Sequence, residues 1–247
     1  MRTIAHLSDL HFGRVEPVVL EALRRRLKAL APDLVVVSGD LTQRARVREF
    51  REARAFLDSL AAPQVVVPGN HDVPLYNVLA RFVSPLDRYQ RIVSDELEPG
   101  FIDDEIAVLG VNTARAFTFK GGRVSPAQVE QLRRALSSLD GERTKILVAH
   151  HSCKALEECG VDVVVSGHRH ATRVSARRLP KNSYLMIEAG TATSHRTREE
   201  PNAFNLLCIR PGKIAIQHYA LRSGNFLRAG GASFSRDTLG WRRDAGQ

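Results

Sequence analysis

Five short apolar runs of this chain end in residues of the types that can ligate metal ions. TIAHLS is followed by Asp9-Leu10-His11, DLVVVS by Gly39-Asp40, and QVVVP by Gly69-Asn70-His71-Asp72. KILVA runs into His150-His151, and VDVVVS into Gly167-His168-Arg169-His170. Each is ordinary when taken singly, because Asp-x-His caps helices, Gly-Asp makes turns, and Pro, Gly, Asn and Asp favour strand ends. Turn chemistry has no need of imidazole, however. Seven of the nine histidines stand in or directly after these five runs, and only His195 and His218 lie elsewhere. Carboxylate, amide and imidazole donors without thiolate suit Mn, Fe, Zn or Co better than Ca. There are more donors than one ion needs, which points to two ions sharing a carboxylate, an arrangement that serves phosphate-ester hydrolysis. Asp40, alone at its strand end, is the candidate bridge.

Strands must carry these residues to one place. The apolar runs are four to six residues long and continuous, as expected of strands covered on both faces. Helical periodicity lies between them: Leu20, Leu23, Leu27 and Leu30; Phe50, Ala53, Leu57 and Leu60; Val129, Leu132, Leu136 and Leu139. Ser125-Pro126-x-Gln128 before the last of these has the form of a capping box with Pro at the first helical position. Strands predominate from about residue 173. Alternation followed by a run of strands predicts an α/β domain with strands in two sheets and helices outside. In such sheets ligands bind outside the carboxyl ends of the strands, where the five blocks would converge. No linker or repeat interrupts the chain. The expectation is one domain over 1–222, with 223–247 as its irregular C-terminal tail.

Composition narrows the class. At 247 residues the chain has room for one sizeable α/β domain, and its hydrophobic fraction of 43% is that of an ordinary globular protein. No apolar run approaches the roughly 20 residues of a membrane span, so no membrane partner is expected. Three cysteines without a CxxC argue against a disulfide framework or a thiolate metal site. A cytoplasmic protein is the expectation. The net charge of +9 raises a nucleic-acid partner. Only six of the 36 basic residues are Lys, and the Arg is scattered along helix faces, so a solvated helix surface is favoured over that reading. Nothing in the pattern sets an oligomeric state.

In this order, DLH, GD, GNHD, HH and GHRH resemble the five-block signature of the calcineurin-like metallophosphoesterases. HLSDLHFG and GNHDVPLYN are most similar to the bacterial class III cyclic-nucleotide phosphodiesterase branch. The resemblance implies an α/β four-layer αββα sandwich, two mixed β-sheets flanked by helices, with a dinuclear metal site at the strand C-terminal ends. It implies one metal held by Asp9, His11, Asp40 and His170, and a second held by Asp40, Asn70, His150 and His168. His71 is implied to contact the substrate phosphate beside Asn70 and to protonate the leaving group, with Asp72 fixing the loop or orienting His71. The implied activity is hydrolysis of small phosphodiesters, of the cyclic-nucleotide or glycerophosphodiester type, by direct attack of a metal-activated water.

Two departures bear on substrate. GDLTQRA lacks the further Asp that supports the catalytic His in protein serine/threonine phosphatases, which argues against that branch. Only 17 residues separate His150 from His168, and no Pro follows HH, so a loop common in the cyclic-nucleotide branch is shortened. Placement alone adds Arg115, in GVNTAR, as a phosphate clamp and His195, after YLMIEAG, as a site residue. The alternatives are a nuclease of the same fold and a non-catalytic scaffold. Every ligand position is filled here, which disfavours the scaffold.

Overall fold

The computed structural model describes residues 1–116, 121–139, 141–180, 182–194 and 200–245. Strand β1 (Arg2–Leu7) leads to helix α1 (Pro17–Leu30), β2 (Leu34–Ser38), α2 (Val47–Asp58) and β3 (Gln64–Val67). A single 3-10 turn, Asn70–Asp72, precedes the short helices α3 (Val78–Val83) and α4 (Asp87–Ile92). Then come β4 (Gly100–Ile102), β5 (Ile106–Val111), α5 (Pro126–Ser137), β6 (Thr144–Ala149), α6 (Lys154–Glu157) and β7 (Val163–Ser166). The remainder is all strand: β8 (Arg173–Arg178), β9 (Ser183–Glu188), β10 (Ala203–Arg210), β11 (Lys213–Arg222), β12 (Asn225–Asp237) and β13 (Gly240–Arg243).

These strands form two mixed sheets, in the orders β13-β12-β11-β10-β1-β2-β3 and β4-β5-β6-β7-β9-β8. The continuous apolar runs have a simple cause. In β2 every residue is buried: Leu34 and Val36 join the core between the sheets, Val35 and Val37 the core under the helices. Helices α1, α2 and α4 cover the first sheet through Leu23, Phe50 and Tyr89, while Leu132 of α5 and Leu156 of α6 cover the second. The result is the expected αββα layering. The α5 cap forms as its sequence predicts, with the Ser125 hydroxyl accepting from the Gln128 N–H at 3.2 Å and the Gln128 side chain accepting from the Ser125 N–H at 2.9 Å. Among the described residues, no helix is long and apolar enough to cross a membrane.

Strands β1, β2 and β3 run parallel, as do β6 and β7, so the segments that follow them emerge together at the edges of their sheets. The short stretch between His150 and His168 holds only α6 and β7.

The stretch from Ser223 corrects the expectation of an irregular tail. It pairs as β12 along β11 and as β13 along β12, extending the first sheet without a boundary. Phe226, Phe234 and Trp241 account for this, since all three are buried in the cores of the sandwich. Gly230-Gly231 has the composition of a turn but lies inside β12, beside a register shift between His218 and Tyr219. A Cβ on Gly231 would stand 2.5 Å from the Ile216 carbonyl oxygen, so glycine permits a close backbone approach there. Truncating Trp241 to Ala should therefore cost about 3 kcal/mol, read as a lowered urea midpoint. A change below about 0.5 kcal/mol would make the C-terminal hairpin peripheral to the fold.

Candidate metal centre

The strand ends reach the site through left-handed backbone. Asp9 (φ 53°), His11 (50°), Asp40 (54°), His168 (69°) and His170 (55°) all adopt it. Residues with a Cβ rarely enter this region, although Asp and His tolerate it better than most. Only eight such residues other than glycine occur among those described, so five at these turns concentrate the strain where chemistry is expected. Backbone bonds clamp the turns together: Asp9 N–H donates to Gly39 O at 3.1 Å and His11 N–H to Asp40 O at 2.9 Å. Between β6 and β7, Gly167 N–H donates to His150 O at 3.2 Å. Glycine is required at the contacts of Gly39, Gly69 and Gly167, the first against the His150 ring. A Cβ on Gly69 would collide with the Asp40 amide and carboxylate, and one on Gly167 with the Ser8 hydroxyl and the Asp9 carboxylate.

Each carboxylate divides its oxygens between protein and cluster. Asp9 Oδ2 accepts from the Ser8 hydroxyl at 2.6 Å and the His168 N–H at 3.0 Å. Asp9 Oδ1, buried and making no hydrogen bond, lies 3.6 Å from Nε2 of both His11 and His170. Asp40 Oδ1 accepts from the His71 N–H at 2.8 Å, while Oδ2 lies 3.3 Å from His150 Nε2 and 3.8 Å from His11 Nε2.

The imidazoles are oriented from behind. His150 Nδ1 meets the Ser38 carbonyl at 2.7 Å, His11 Nδ1 the Thr42 carbonyl at 3.4 Å, and His170 Nδ1 the Thr191 hydroxyl at 2.5 Å. A carbonyl only accepts, so His150 and His11 carry a proton on Nδ1 and turn Nε2 towards the carboxylates. This is the ring orientation a metal-ligating histidine needs.

Three groups of donors result, each with its ligand atoms within 4.8 Å of one another: Asp9, His11 and His170; Asp9, Asp40 and His150; and His150, His151 and His168. Nearly all are buried. Burial alone would raise the carboxylates, yet His11 and His150 hold Asp9 down at about 2, and His150 keeps Asp40 well below the usual range. Burial opposes charge on His150, but Asp40 lifts it to about 9. A proton is thus held among these groups where a cation can replace it. With buried oxygen and nitrogen donors, fixed tautomers and no thiolate, the residues fit a divalent metal.

The turn Asn70–Asp72 lies against this cluster. Asp72 accepts from the N–H groups of Gly69 (2.9 Å), Leu41 (3.1 Å) and Thr42 (2.8 Å) and from the Thr42 hydroxyl (2.9 Å), pinning the turn to the end of β2. Burial and then the Asp40 charge push its carboxyl up to about 6 against those donors. Asp72, expected in the catalytic set, is positioned by these bonds to hold the loop. His71 donates from Nδ1 to the Gln43 carbonyl at 2.9 Å, and its ring meets that of His11 edge-on at 4.9 Å. Asn70 opens the turn with Oδ1 buried.

Other expectations fall differently. Arg115 donates to the carbonyls of Asn112 (3.1 Å) and Ala114 (2.8 Å) and to the Gln128 side chain, so its guanidinium ties the β5 end to the α5 cap. His195 lies outside the described residues. The family resemblance gives no role to His151, although the HH doublet places it at a strand end. His151 approaches the His168 ring at 4.4 Å, and burial followed by His150 and His168 drives it down to about 2, hence neutral. Thr42 and Thr191, which set the loop and the His170 ring, gave no signal in sequence.

Residues 2–172 match the Calcineurin-like phosphoesterase family. The chain belongs to that family. It is a metal-dependent phosphoric ester hydrolase, and its relatives include phosphodiesterases. A probable cyclic nucleotide phosphodiesterase of Synechococcus is 24% identical, over 85% of this chain and 88% of its own length. The glycerophosphodiester phosphodiesterase GpdQ of Enterobacter lignolyticus is 28% identical over 72% of this chain and 66% of its own. The 3′,5′-cyclic adenosine monophosphate phosphodiesterase of Escherichia coli is 30% identical over 62% of this chain and 56% of its own. Among solved structures, purple acid phosphatase PPD1 from yellow lupin superposes with a TM-score of 0.70 at 14% identity, covering 96% of this chain and 54% of that one. At these identities the structures show the fold alone.

If Asp40 joins the two donor groups, Asp40→Ala loses both ions by elemental analysis of the purified protein, and Gly69→Ala, which displaces Asp40, lowers the content of both together. Normal stoichiometry in Asp40→Ala would refute the bridge.

Proposed function

We propose that this phosphoesterase hydrolyses small phosphodiesters, of the cyclic-nucleotide or glycerophosphodiester type, at a dinuclear centre. The observation that carries the reading is the division of the Asp40 carboxylate. One oxygen faces His150 and His11, and the other accepts the backbone N–H of His71. In this reading Asp9, His11, Asp40 and His170 hold one ion, and Asp40, Asn70, His150 and His168 the other. Mn, Fe, Zn or Co suits these donors. Bound there, the ions supply positive charge to the phosphoryl oxygens and bring water into usable acidity near neutral pH.

The protein's own contribution centres on His71. With Nδ1 tied to the Gln43 carbonyl, its proton-transfer atom is Nε2. Held in the turn beside Asn70, the protonated ring contacts the phosphate and gives its proton to the departing oxygen. Asp72 keeps that turn on the end of β2, so the distance between His71 and Asp40 is fixed before substrate arrives. The relatives named for cyclic-nucleotide and glycerophosphodiester hydrolysis support a diester substrate. The three cysteines, all free, agree with a cytoplasmic location.

Metal-reconstituted protein should prefer bis-p-nitrophenyl phosphate to p-nitrophenyl phosphate and lose the activity to a chelator. A monoester preference would contradict the reading. His71→Ala should reduce turnover by about 10²–10⁴-fold at near-normal metal content. Loss of the metals in that variant would show that His71 is a ligand and not the acid.

A further inference from the structure

A cavity of about 470 Å³ opens where the start of edge strand β8 meets β10, β11 and β12, and it contains none of the metal-cluster residues. Three buried polar atoms of its lining residues make no hydrogen bond: Thr172 Oγ1, Asn205 Oδ1 and His218 Nδ1. Asn205 is completely buried, and its amide has a defined orientation. Nδ2 donates to the Glu188 carbonyl at 3.2 Å, a group that only accepts, which leaves Oδ1 as the amide atom without a partner at the cavity wall.

Asn205, His218 and Gly230 are paired across three neighbouring strands and form one row. A Cβ on Gly230 would meet nothing within 4 Å, so the row opens outwards at its Gly230 end. The rim is basic. Arg173, Arg222 and Arg243 line it, and among the described residues none of them makes an ion pair. The one acid, Glu200, has its Oε2 on the Thr172 N–H at 2.9 Å. Val174, Ile216 and Ala232 supply an apolar surface between the polar row and the arginines.

We propose that this cavity is a second binding site, for a small organic anion that carries a hydrogen-bond donor away from its charge. The donor satisfies Asn205 Oδ1, where a buried unpaired acceptor is costly. The anion meets the guanidinium groups, and an apolar body lies on Val174 and Ile216. The volume is within the range of about 300–1,000 Å³ typical of small-molecule sites. A nucleoside monophosphate has all three features, and it is the product type of cyclic-nucleotide hydrolysis. That identity rests on the phosphodiesterase reading, whereas the site itself does not.

The test is a titration of 5′-AMP into the zinc-loaded full chain with ¹⁵N-labelled histidine, following the His218 ring resonances. Hydrolysis of bis-p-nitrophenyl phosphate is measured on the same samples. A saturable His218 shift is expected, weakened at least about tenfold in the double variant Arg173→Ala/Arg222→Ala with diester turnover unchanged. Both arginines are exposed, so the fold is retained. A His218 resonance unmoved at millimolar 5′-AMP, or moved equally in the double variant, overturns the site. Inorganic phosphate acting as well as 5′-AMP overturns the need for an organic body. A His218 shift in protein that hydrolyses no diester upholds the site and defeats the phosphodiesterase reading instead.

Discussion

The two oxygens of the Asp40 carboxylate face different partners, and the rest of the site is arranged around that division. One oxygen is fixed by the His71 amide and the other is turned to two imidazole nitrogens. Such a buried carboxylate is stable only with positive charge beside it. In the protein alone, a proton on His150 provides that charge. A metal ion provides more, and binding it releases the proton. The electrostatics that hold the site together without metal are thus those that select a cation for it.

The scaffold makes this arrangement possible by removing freedom elsewhere. Parallel strands buried on both faces deliver the strand ends to one edge, and Gly39, Gly69 and Gly167 let the following segments approach where a Cβ would collide. Left-handed backbone at five candidate ligand positions is unfavourable for each residue alone. It persists because interstrand amide bonds and the Asp72 carboxylate over-determine the loops. Stability in the cores is therefore converted into preorganisation at the edge, which is what electrostatic catalysis requires.

Much of this was legible in the sequence, for identifiable reasons. Runs such as LVVVS read as strands because both faces are buried, and the helices read from Leu spacing and the Ser125 cap. The candidate ligands stood out because histidine has no part in ordinary turns. The C-terminal hairpin was not legible, since Gly230-Gly231 has the composition of a turn and only register with β11 shows it to be strand. Arg115 was not placed by its sequence because a long side chain can reach either the cleft or the nearest carbonyls, and here it donates to the carbonyls. Asn205 and His218 are 13 residues apart and meet only through antiparallel pairing, which no local pattern reveals.

The central proposal is that Asp40 joins two ions whose other donors come from both sheets. Anomalous scattering from crystals of manganese-loaded protein tests it most directly. The account predicts two metal peaks, one against Asp9, His11 and His170 and one against Asn70, His150 and His168, with an Asp40 oxygen in contact with each. A single peak, or two peaks that Asp40 does not join, would contradict it.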